Sequence, residues 1–363
     1  MQIVTRRGQL TAEWLSEVLE HAGVLNGAKV QDVTVTPIGG GVFARMAKVS
    51  IDYDGACAGP ASVVVKYPTD DAGSLGLARA MEMYKLEVSF YRDVAPLVPG
   101  FSIPTCFGAA VDPVTSDFTL VLSDLTETAA PLQIGPDSTA DDKREACASA
   151  LRELVRFQAP LWNSPQVEKL DWLSDTARTV GMFEAMAGGL APFMDRFGPA
   201  LSPEHVAFFE RYLPRAGEWG RSWRAPTVVQ HGDFRSDNLL VATGPGMPAI
   251  TVIDFQTVRL GPPGVDAAYL IGSTFSTEER RAEEKALIAA YHEGLVAAGV
   301  ENFDADACWR SYREGALYGS FLFVGLAAQV ESVPEIDAYI AAQAARYADM
   351  ALDLEAPAAA GLA

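Results

Sequence analysis

The feature that most constrains the fold of this chain is a change in the spacing of its apolar residues, about a third of the way along it. Between residues 30 and 67, three runs rich in β-branched residues ("VQDVTVTPI", "ARMAKVSIDYDG" and "ASVVVKYP") are separated by glycines and prolines, which is typical of an antiparallel meander. After Leu125 the apolar residues mostly recur at helical spacing. This change predicts an α+β fold with segregated lobes, residues 1–124 and 125–363, and a hinge at residues 123–125.

Two helices are expected within the first third of the chain. Residues 10–25 carry apolar groups at helical spacing, with Thr11 placed as the N-cap. Residues 77–98 predict one continuous helix that ends at Pro99. The last residues of the chain, "EAPAAAGLA", are expected to be frayed.

The charge of the chain limits its partners. The 363 residues have a formal net charge of −19, which repels nucleic-acid phosphates and anionic membrane surfaces. A bound anion would therefore need local cations or a metal ion. The apolar run that starts at Gly319 is about half as long as a bilayer span requires, and the chain starts without an apolar run of signal-peptide length. We expect a cytoplasmic protein that binds neither nucleic acid nor membrane.

One short region gathers polar side chains among apolar runs, where carboxylates are costly to bury. Residues 228–256 read "VVQHGDFRSDNLLVATGPGMPAITVIDFQ". The runs "NLLVA" and "PAITVID" predict a hairpin that brings Asn238 and Asp254 near one end. Amide and carboxylate oxygens suit Mg²⁺, and Asp233, on the preceding loop, is placed as a general base for a substrate hydroxyl. Taken singly, each of these residues is more typical of a turn or a helix cap.

A run of glycines lies between two of the predicted strands. Gly39, Gly40 and Gly41 stand at a strand-to-strand turn in "PIGGGVFARMAKV", where bare backbone N–H groups can approach a phosphate. Plain hairpin turns use glycine as well, so the run alone does not decide between a phosphate loop and a turn.

A lysine near the end of a predicted strand is the candidate phosphate ligand. Lys66 ends the apolar run "VVVK", where a buried ammonium needs a partner. Glu87 is flanked by apolar residues on the following helix and can pair with it, which leaves the ammonium able to bind nucleotide phosphates. The alternative is that Lys66 extends to solvent and Glu87 is solvated.

The order of these motifs resembles the protein-kinase-like phosphotransferases. "HGDFRSDNLL" takes the place of the protein-kinase HRD loop, and "VIDFQ" stands where those enzymes carry DFG. The chain is most similar to the aminoglycoside phosphotransferase and choline kinase group, and within it to the ecdysteroid-kinase-like (CHK kinase-like) branch. The matching segments are spread over residues 10 to 270. The resemblance implies a two-lobed protein-kinase-like fold, with an antiparallel sheet in the N-lobe and a mainly helical C-lobe.

The resemblance also implies roles for the residues of the motifs. Asp233 would be the catalytic base, and Asn238 and Asp254 would be Mg²⁺ ligands. Lys66 would hold the phosphates of ATP and would itself be held by Glu87.

Further residues take supporting roles by the same resemblance. Ser123, Asp124 and Leu125 would face the adenine through their backbone. Asp266 would be a buried structural acid that braces the catalytic loop, and His231 would orient that loop rather than transfer a proton.

Departures from the protein-kinase pattern favour a small-molecule substrate. Gln256 replaces the glycine of DFG, residues 39–41 do not fit G-x-G-x-x-G strictly, and no long activation segment follows Asp254. We therefore expect transfer of the γ-phosphoryl group of ATP to a hydroxyl of a small, uncharged and fairly apolar alcohol.

The acceptor site is expected in helical inserts at residues 165–225 and 305–345. A group of Met and Phe side chains in the first insert could line it, although such a group at helical spacing is usually core: Met182, Phe183, Met186, Phe193, Met194 and Phe197. Three other functions stay open. They are an aminoglycoside, macrolide or choline-type kinase, a non-catalytic nucleotide-binding pseudokinase, and a hydrolase that uses metal-bound water.

Overall fold

The structure is a computed structural model. It describes residues 1–39, 41–56, 58–134, 138–224, 226–244, 248–327 and 332–362. The chain divides into two compact units. Unit 1 comprises Met1–Ala130 and Leu240–Thr257, and unit 2 comprises Pro131–Leu239 and Val258–Ala363.

In chain order the strands are β1 (Val30–Ile38), β2 (Ala44–Tyr53), β3 (Ser62–Pro68), β4 (Cys106–Val111), β5 (Phe118–Ser123), β6 (Ala129–Pro131), β7 (Val228–Gln230), β8 (Leu239–Ala242), β9 (Ile250–Val252) and β10 (Arg259–Gly261). The helices are α1 (Ala12–His21), α2 (Ala72–Ala80), α3 (Met83–Ser89), α4 (Ala140–Gln158), α5 (Pro165–Glu168), α6 (Asp171–Ser174), α7 (Thr176–Gly188), α8 (Leu190–Phe197), α9 (Pro203–Tyr212), α10 (Ala216–Ser222), α11 (Gly264–Thr274), α12 (Thr277–Ala297), α13 (Ala305–Ala327), α14 (Pro334–Asp353) and α15 (Ala356–Ala359). Within the described ranges, none of these helices combines the length and the apolar character that crossing a membrane requires.

Unit 1 is built on a five-stranded sheet in the order β1-β2-β3-β5-β4, and all neighbouring strands are antiparallel. The alternation of β2 and β3 buries one face of the sheet, including Val49 and Val65, against Leu15 of α1. Lys66 is paired with Met46 on one side and Leu120 on the other. Because directly opposed residues share a face, Lys66 lies on the opposite face from Val65. The predicted meander is confirmed.

The first predicted helix is confirmed and the second is wrong in its continuity. Thr11 caps α1 by accepting a hydrogen bond from the Trp14 N–H at 3.2 Å. Within the stretch predicted as one helix, α2 ends at Ala80 and α3 begins at Met83, because Glu82 is left-handed at φ 54°. After α3 the chain continues as a π-helical turn, Phe90–Val94. A single left-handed residue reorients the axis without disturbing the apolar spacing, so periodicity alone could not locate it.

Unit 2 is mainly helical. Its only strands among the described residues, β7 and β10, pair antiparallel. Helix α11 has ten of its eleven residues buried and packs closely on α13, where the Gly264 N–H donates to the Ser311 hydroxyl at 3.0 Å. The predicted fraying of the chain end is wrong. Residues 356–359 form α15, and Leu362 is 2% exposed, because its carbonyl accepts a hydrogen bond from Arg215.

Candidate functional site

Lys66 is held between two carboxylates within unit 1. Its Nζ lies 2.8 Å from Oε1 and 2.7 Å from Oε2 of Glu87, and 2.7 Å from Oδ1 of Asp254. Lys66 is 8% exposed and Glu87 is 1% exposed. The ion pair predicted from the sequence is therefore present, and the structure adds Asp254 as a second partner that the spacing of the motifs does not reveal.

The protonation of this group follows from burial and charge. Burial by itself lowers the pKa of Lys66, but the charges and hydrogen bonds of Asp254 and Glu87 outweigh it and raise that pKa above its ordinary value. Burial raises the pKa of Glu87 to about 7, against the opposing effect of Lys66. The site thus contains a fixed, desolvated ammonium.

Asp254 is placed by its aromatic neighbour. The Phe255 ring stacks on Phe90 with centroids 3.6 Å apart and meets Phe101 edge-on at 6.1 Å. The Asp254 backbone is left-handed at φ 71°, and its Oδ2 accepts a hydrogen bond from Gln256 Nε2 at 3.1 Å. The phenylalanine of the "IDF" motif therefore anchors the backbone that presents the carboxylate to Lys66.

The residues of the predicted hinge, 123–125, differ in whether their polar groups already have hydrogen-bond or ion-pair partners. The Ser123 N–H donates to the Thr105 carbonyl at 2.8 Å, so it is already engaged. The Asp124 carboxylate pairs with Lys48 at 3.0 Å. Within the described part of the chain, the Leu125 N–H has no acceptor. The contact of this segment with adenine stays a prediction, as does a lobe boundary at residue 124.

The glycine run lies between β1 and β2. Gly40 falls outside the described residues. A Cβ at Gly39 would meet nothing within 4 Å, and one at Gly41 would meet only the Ala44 carbonyl oxygen, at 4.0 Å. The space above Gly39 and Gly41 is therefore open to a ligand, and their binding of phosphate stays a prediction.

Unit 2 brings Asp233 and Asn238 together in the loop after β7. Asn238 Nδ2 donates to Asp233 Oδ2 and to its backbone carbonyl, each at 2.8 Å. Asp233 Oδ1 accepts from Arg235 Nε at 3.1 Å. No donor to the Asn238 amide oxygen exists among the described residues, so that oxygen remains available as a ligand.

This loop is braced from α11. Asp266, fully buried, accepts hydrogen bonds from the N–H groups of His231 at 2.8 Å and Gly232 at 2.9 Å. Burial raises the pKa of Asp266, and the nearby His231 and the Gly232 N–H oppose that shift. His231 Nδ1 in turn accepts from the Asp233 N–H at 3.2 Å. Gly232 has φ 83°, a conformation that favours glycine. The contacts expected of Asp266 and His231 as scaffold residues are therefore present.

A second brace was missed by the sequence analysis. The Tyr318 hydroxyl donates to the Gly232 carbonyl at 2.6 Å. The Arg259 guanidinium lies 4.4 Å from the centroid of the Tyr318 ring, and its Nε donates to Gln230 Oε1 at 2.8 Å. Arg259 and Gln230 are directly paired on β10 and β7. In the sequence, the signal for this contact is limited to one polar residue in each of two short apolar strands, Gln230 in β7 and Arg259 in β10.

The Met and Phe residues of the first insert are largely core. Phe183, Met186, Phe193 and Phe197 are each at most 6% exposed. Phe183 packs against Trp219 at 4.9 Å and Trp223 at 5.4 Å between ring centroids. These four side chains therefore belong to the core, and the hypothesis that the segment lines an acceptor site stays a prediction for Met182 and Met194, which are half-buried.

Asn238 and Asp254 are the metal ligands predicted from the sequence. Among the described residues there is no group of three or more His, Cys, Asp or Glu side chains that could bind one. The free amide oxygen of Asn238 and the Asp254 carboxylate are the donor types that Mg²⁺ accepts, with its remaining positions filled by water and phosphate oxygens. Each of the two residues is therefore of a chemical type that fits Mg²⁺, and their binding of the ion stays a prediction.

The comparisons with known proteins agree with this fold. Residues 135–300 match the model of a family described as "Phosphotransferase enzyme family". The ADP-bound structure of aminoglycoside phosphotransferase APH(2'')-Ib is similar at 16% identity, over 93% of this chain and 99% of that chain, with a TM-score of 0.51. The chain therefore has the protein-kinase-like fold, with an antiparallel sheet in its N-terminal part and a mostly helical remainder.

Two further solved structures are similar with lower scores. The GDP complex of wild-type aminoglycoside 2'-phosphotransferase-IIIa has 14% identity, covers 90% of this chain and 94% of that one, and has a TM-score of 0.47. A microcompartment-associated aminopropanol kinase has 14% identity, covers 97% and 99%, and has a TM-score of 0.46. No curated protein matches this chain. The family match and the fold support a small-molecule kinase, and the ecdysteroid-kinase-like branch stays a prediction.

Proposed function

We propose that the protein is an ATP-dependent phosphotransferase that moves the γ-phosphoryl group to a hydroxyl of a small, uncharged and fairly apolar molecule. The observation that carries this proposal is the buried Lys66 ammonium with its two carboxylate partners. A desolvated cation is costly to bury unless it is paired, and its two carboxylate partners keep this ammonium charged and oriented. A hydrolase that uses metal-bound water would have no use for an ammonium that a strand and a helix hold in place.

The chemistry assigned to unit 2 is removal of a proton from the acceptor. The Asp233 carboxylate accepts the proton of the hydroxyl as the acceptor oxygen forms a bond to the γ-phosphorus. The bond between that phosphorus and the β,γ-bridging oxygen breaks, and ADP leaves with the electron pair. Asn238 restrains the base through the hydrogen bond to Oδ2. Catalysis of this kind consists mostly of positioning and charge neutralisation.

Asp254 and Asn238 are the residues proposed to hold Mg²⁺. When bound, the metal would supply positive charge to the phosphate oxygens. Lys66 is proposed to add its ammonium to the same phosphates, since it is already oriented by Glu87. In this assignment Gln256 keeps the second Asp254 oxygen oriented through its amide.

The exposed side chains near the base favour an apolar acceptor. Tyr339 is 51% exposed and Ile336 is 40% exposed, and their spacing of three places them on one face of α14. Tyr339 is among the groups that raise the pKa of Arg235. Arg235 is already paired with Asp233 and Asp237. The two carboxylates outnumber the single guanidinium, so the loop offers little attraction to an anionic acceptor.

The proposal is tested by thermal shift with ATP and Mg²⁺, each alone and together. A ligand that binds only the folded state stabilises it by about 2.7 kcal/mol at a hundred times its Kd. We expect a shift that needs both ligands and that is lost in Lys66→Met. No shift at millimolar concentrations would contradict the proposal and favour a non-catalytic scaffold protein.

The acceptor class is tested by transfer of labelled phosphate from ATP. The panel would be estradiol, erythromycin, kanamycin and choline, with Asp233→Asn as the inactive control. We expect phosphorylation of the steroid alcohol. Transfer to kanamycin or choline would retain the kinase and replace the acceptor. Release of phosphate at the same rate with and without every acceptor would indicate a hydrolase instead.

A further inference from the structure

The candidate base is held at both of its carboxylate oxygens. Arg235 Nε lies 3.1 Å from Asp233 Oδ1, and Asn238 Nδ2 lies 2.8 Å from Oδ2. The carboxylate cannot rotate about its Cβ–Cγ bond without losing at least one of these two hydrogen bonds. The sequence resemblance assigns a role to Asn238 but none to Arg235.

Arg235 is itself fixed by its neighbours in the loop. Its backbone N–H donates to the Asp233 carbonyl at 3.0 Å, and its own carbonyl accepts from the Asn238 N–H at 2.9 Å. Its guanidinium also forms an ion pair with Asp237. The side chain thus bridges two carboxylates, while its backbone closes the turn that contains the base.

This bridge is not suited to stabilising the fold. The side chains of Arg235 and Asp233 are 34% and 23% exposed, and ion pairs with that much access to water contribute little to folding. The bridge is, however, suited to orienting the Asp233 carboxylate, because the planar guanidinium of Arg235 holds its N–H donors in fixed directions. A small displacement of a reacting group can cost about 10²-fold in rate.

We propose that Arg235 is a positioning residue for the base. It fixes Oδ1 of Asp233, so that the carboxylate offers one defined lone pair to the acceptor hydroxyl. The inference rests on the proposed function, in which Asp233 accepts that proton. It assigns to Arg235 an effect on turnover rather than on nucleotide binding or stability.

The kinetic test compares Arg235→Ala, Arg235→Lys and the matched control Asp237→Asn. Asp237→Asn removes the other carboxylate on the same guanidinium and leaves the contact with Asp233. With Mg²⁺-ATP and the acceptor that the panel identifies, or water if none is phosphorylated, Arg235→Ala should lower kcat by about 10- to 100-fold without raising KM for ATP. Arg235→Lys should recover part of the loss, and Asp237→Asn should lower kcat less than Arg235→Ala does, because the contact between Arg235 and Asp233 remains.

Added guanidinium ion separates positioning from a general structural effect. At millimolar guanidinium chloride, the kcat of Arg235→Ala should rise, while sodium chloride at the same ionic strength should not raise it. An unchanged kcat in Arg235→Ala, or a change confined to KM for the acceptor, would overturn the proposal. In the second case Arg235 would be a substrate-binding residue.

Crystal structures of the unaltered protein and of Arg235→Ala give a readout independent of activity. We expect the Asp233 carboxylate of the variant to leave its orientation or to occupy two rotamers. If it stays in place, Arg235 does not position it. An unaltered protein that turns over no ATP would contradict the proposed function, while the crystal structures would still decide whether Arg235 orients Asp233.

Discussion

At the scale of single residues, the buried ion pair of Lys66 and Glu87 should contribute strongly to folding stability. Lys66→Met leaves Glu87 buried without its cation, and breaking a buried pair by removing one partner typically costs about 3 to 5 kcal/mol. Because the pKa of Glu87 is about 7, uptake of a proton offsets part of that cost, and we expect a loss of about 3 kcal/mol. Urea denaturation measures this loss of folding free energy.

Lys85→Met is the control for that variant. The pair of Lys85 with Glu82 is exposed and should contribute less than about 1 kcal/mol. Equal losses in the two variants would contradict the assignment.

Two acidic residues assigned to different roles should fail in different ways. Asp233→Asn should lower kcat by about 10²- to 10⁴-fold with nucleotide binding retained, because it removes only the base. Asp254→Asn should weaken the binding of Mg²⁺-ATP, because it removes a charged ligand and a partner of Lys66. Single-turnover kinetics and the thermal shift separate the two effects. Equal loss of nucleotide affinity in both variants would show that the roles are assigned wrongly.

Contacts between site residues could be predicted from the sequence where the spacing of apolar residues in nearby elements indicates them. Lys66 and Glu87 were paired from an apolar strand and an apolar helix face, and the structure confirms the contact. The contact of Lys66 with Asp254 spans 188 positions, and no periodicity encodes it. The bracing contact of Tyr318 with the Gly232 carbonyl spans 86 positions and was missed for the same reason.

At the scale of elements, the position of α11 depends on a close backbone approach. A Cβ at Gly315 of α13 would lie 2.8 Å from the Gly264 carbonyl oxygen and 2.9 Å from the Val265 Cα. Backbone atoms cannot yield as a flexible side chain can, so Gly315→Ala should destabilise the fold by about 3 kcal/mol. The same change should lower kcat, because α11 carries the Asp266 that braces the catalytic loop.

Gly76→Ala is the matched control for that variant. Gly76 also lies inside a helix, α2, but a Cβ there would meet nothing within 4 Å. Alanine should therefore stabilise the protein by about 0.5 to 1 kcal/mol, because it restricts the unfolded chain and favours the helix. Urea denaturation should show that the free energy of unfolding falls in Gly315→Ala and rises in Gly76→Ala. Stabilisation by Gly315→Ala would contradict the close packing between α11 and α13.

At the scale of the whole molecule, stability should depend on pH through one half-buried carboxyl group in α13. Burial raises the pKa of Glu314 from its ordinary value of 4.5 to about 7. The unfolded chain therefore releases this proton first as the pH rises. The stabilising contribution is complete below about pH 4.5 and is lost as the pH rises through about 7.

Glu314→Gln removes this dependence. Its free energy of unfolding, relative to that of the unaltered protein, should rise by about 2 kcal/mol between pH 4.5 and pH 8, allowing for partial contact with water. Urea midpoints across that range measure it, with Glu293→Gln on α12 as the exposed control. A difference that does not change with pH would show that Glu314 titrates normally.

The return of the chain to unit 1 has a consequence for its biosynthesis. The segment Leu240–Thr257 belongs to unit 1, but it is synthesised only after about 110 residues of unit 2. At about 5 to 20 residues per second, the ribosome delivers that segment about 5 to 20 s after the rest of unit 1. During this interval Lys66 lacks Asp254, and the aromatic pocket around Phe90 lacks the ring of Phe255. The strands of the amino-terminal sheet all end by Ser123 and precede this delay, but the apolar surface around Phe90 stays uncovered until Phe255 has been synthesised.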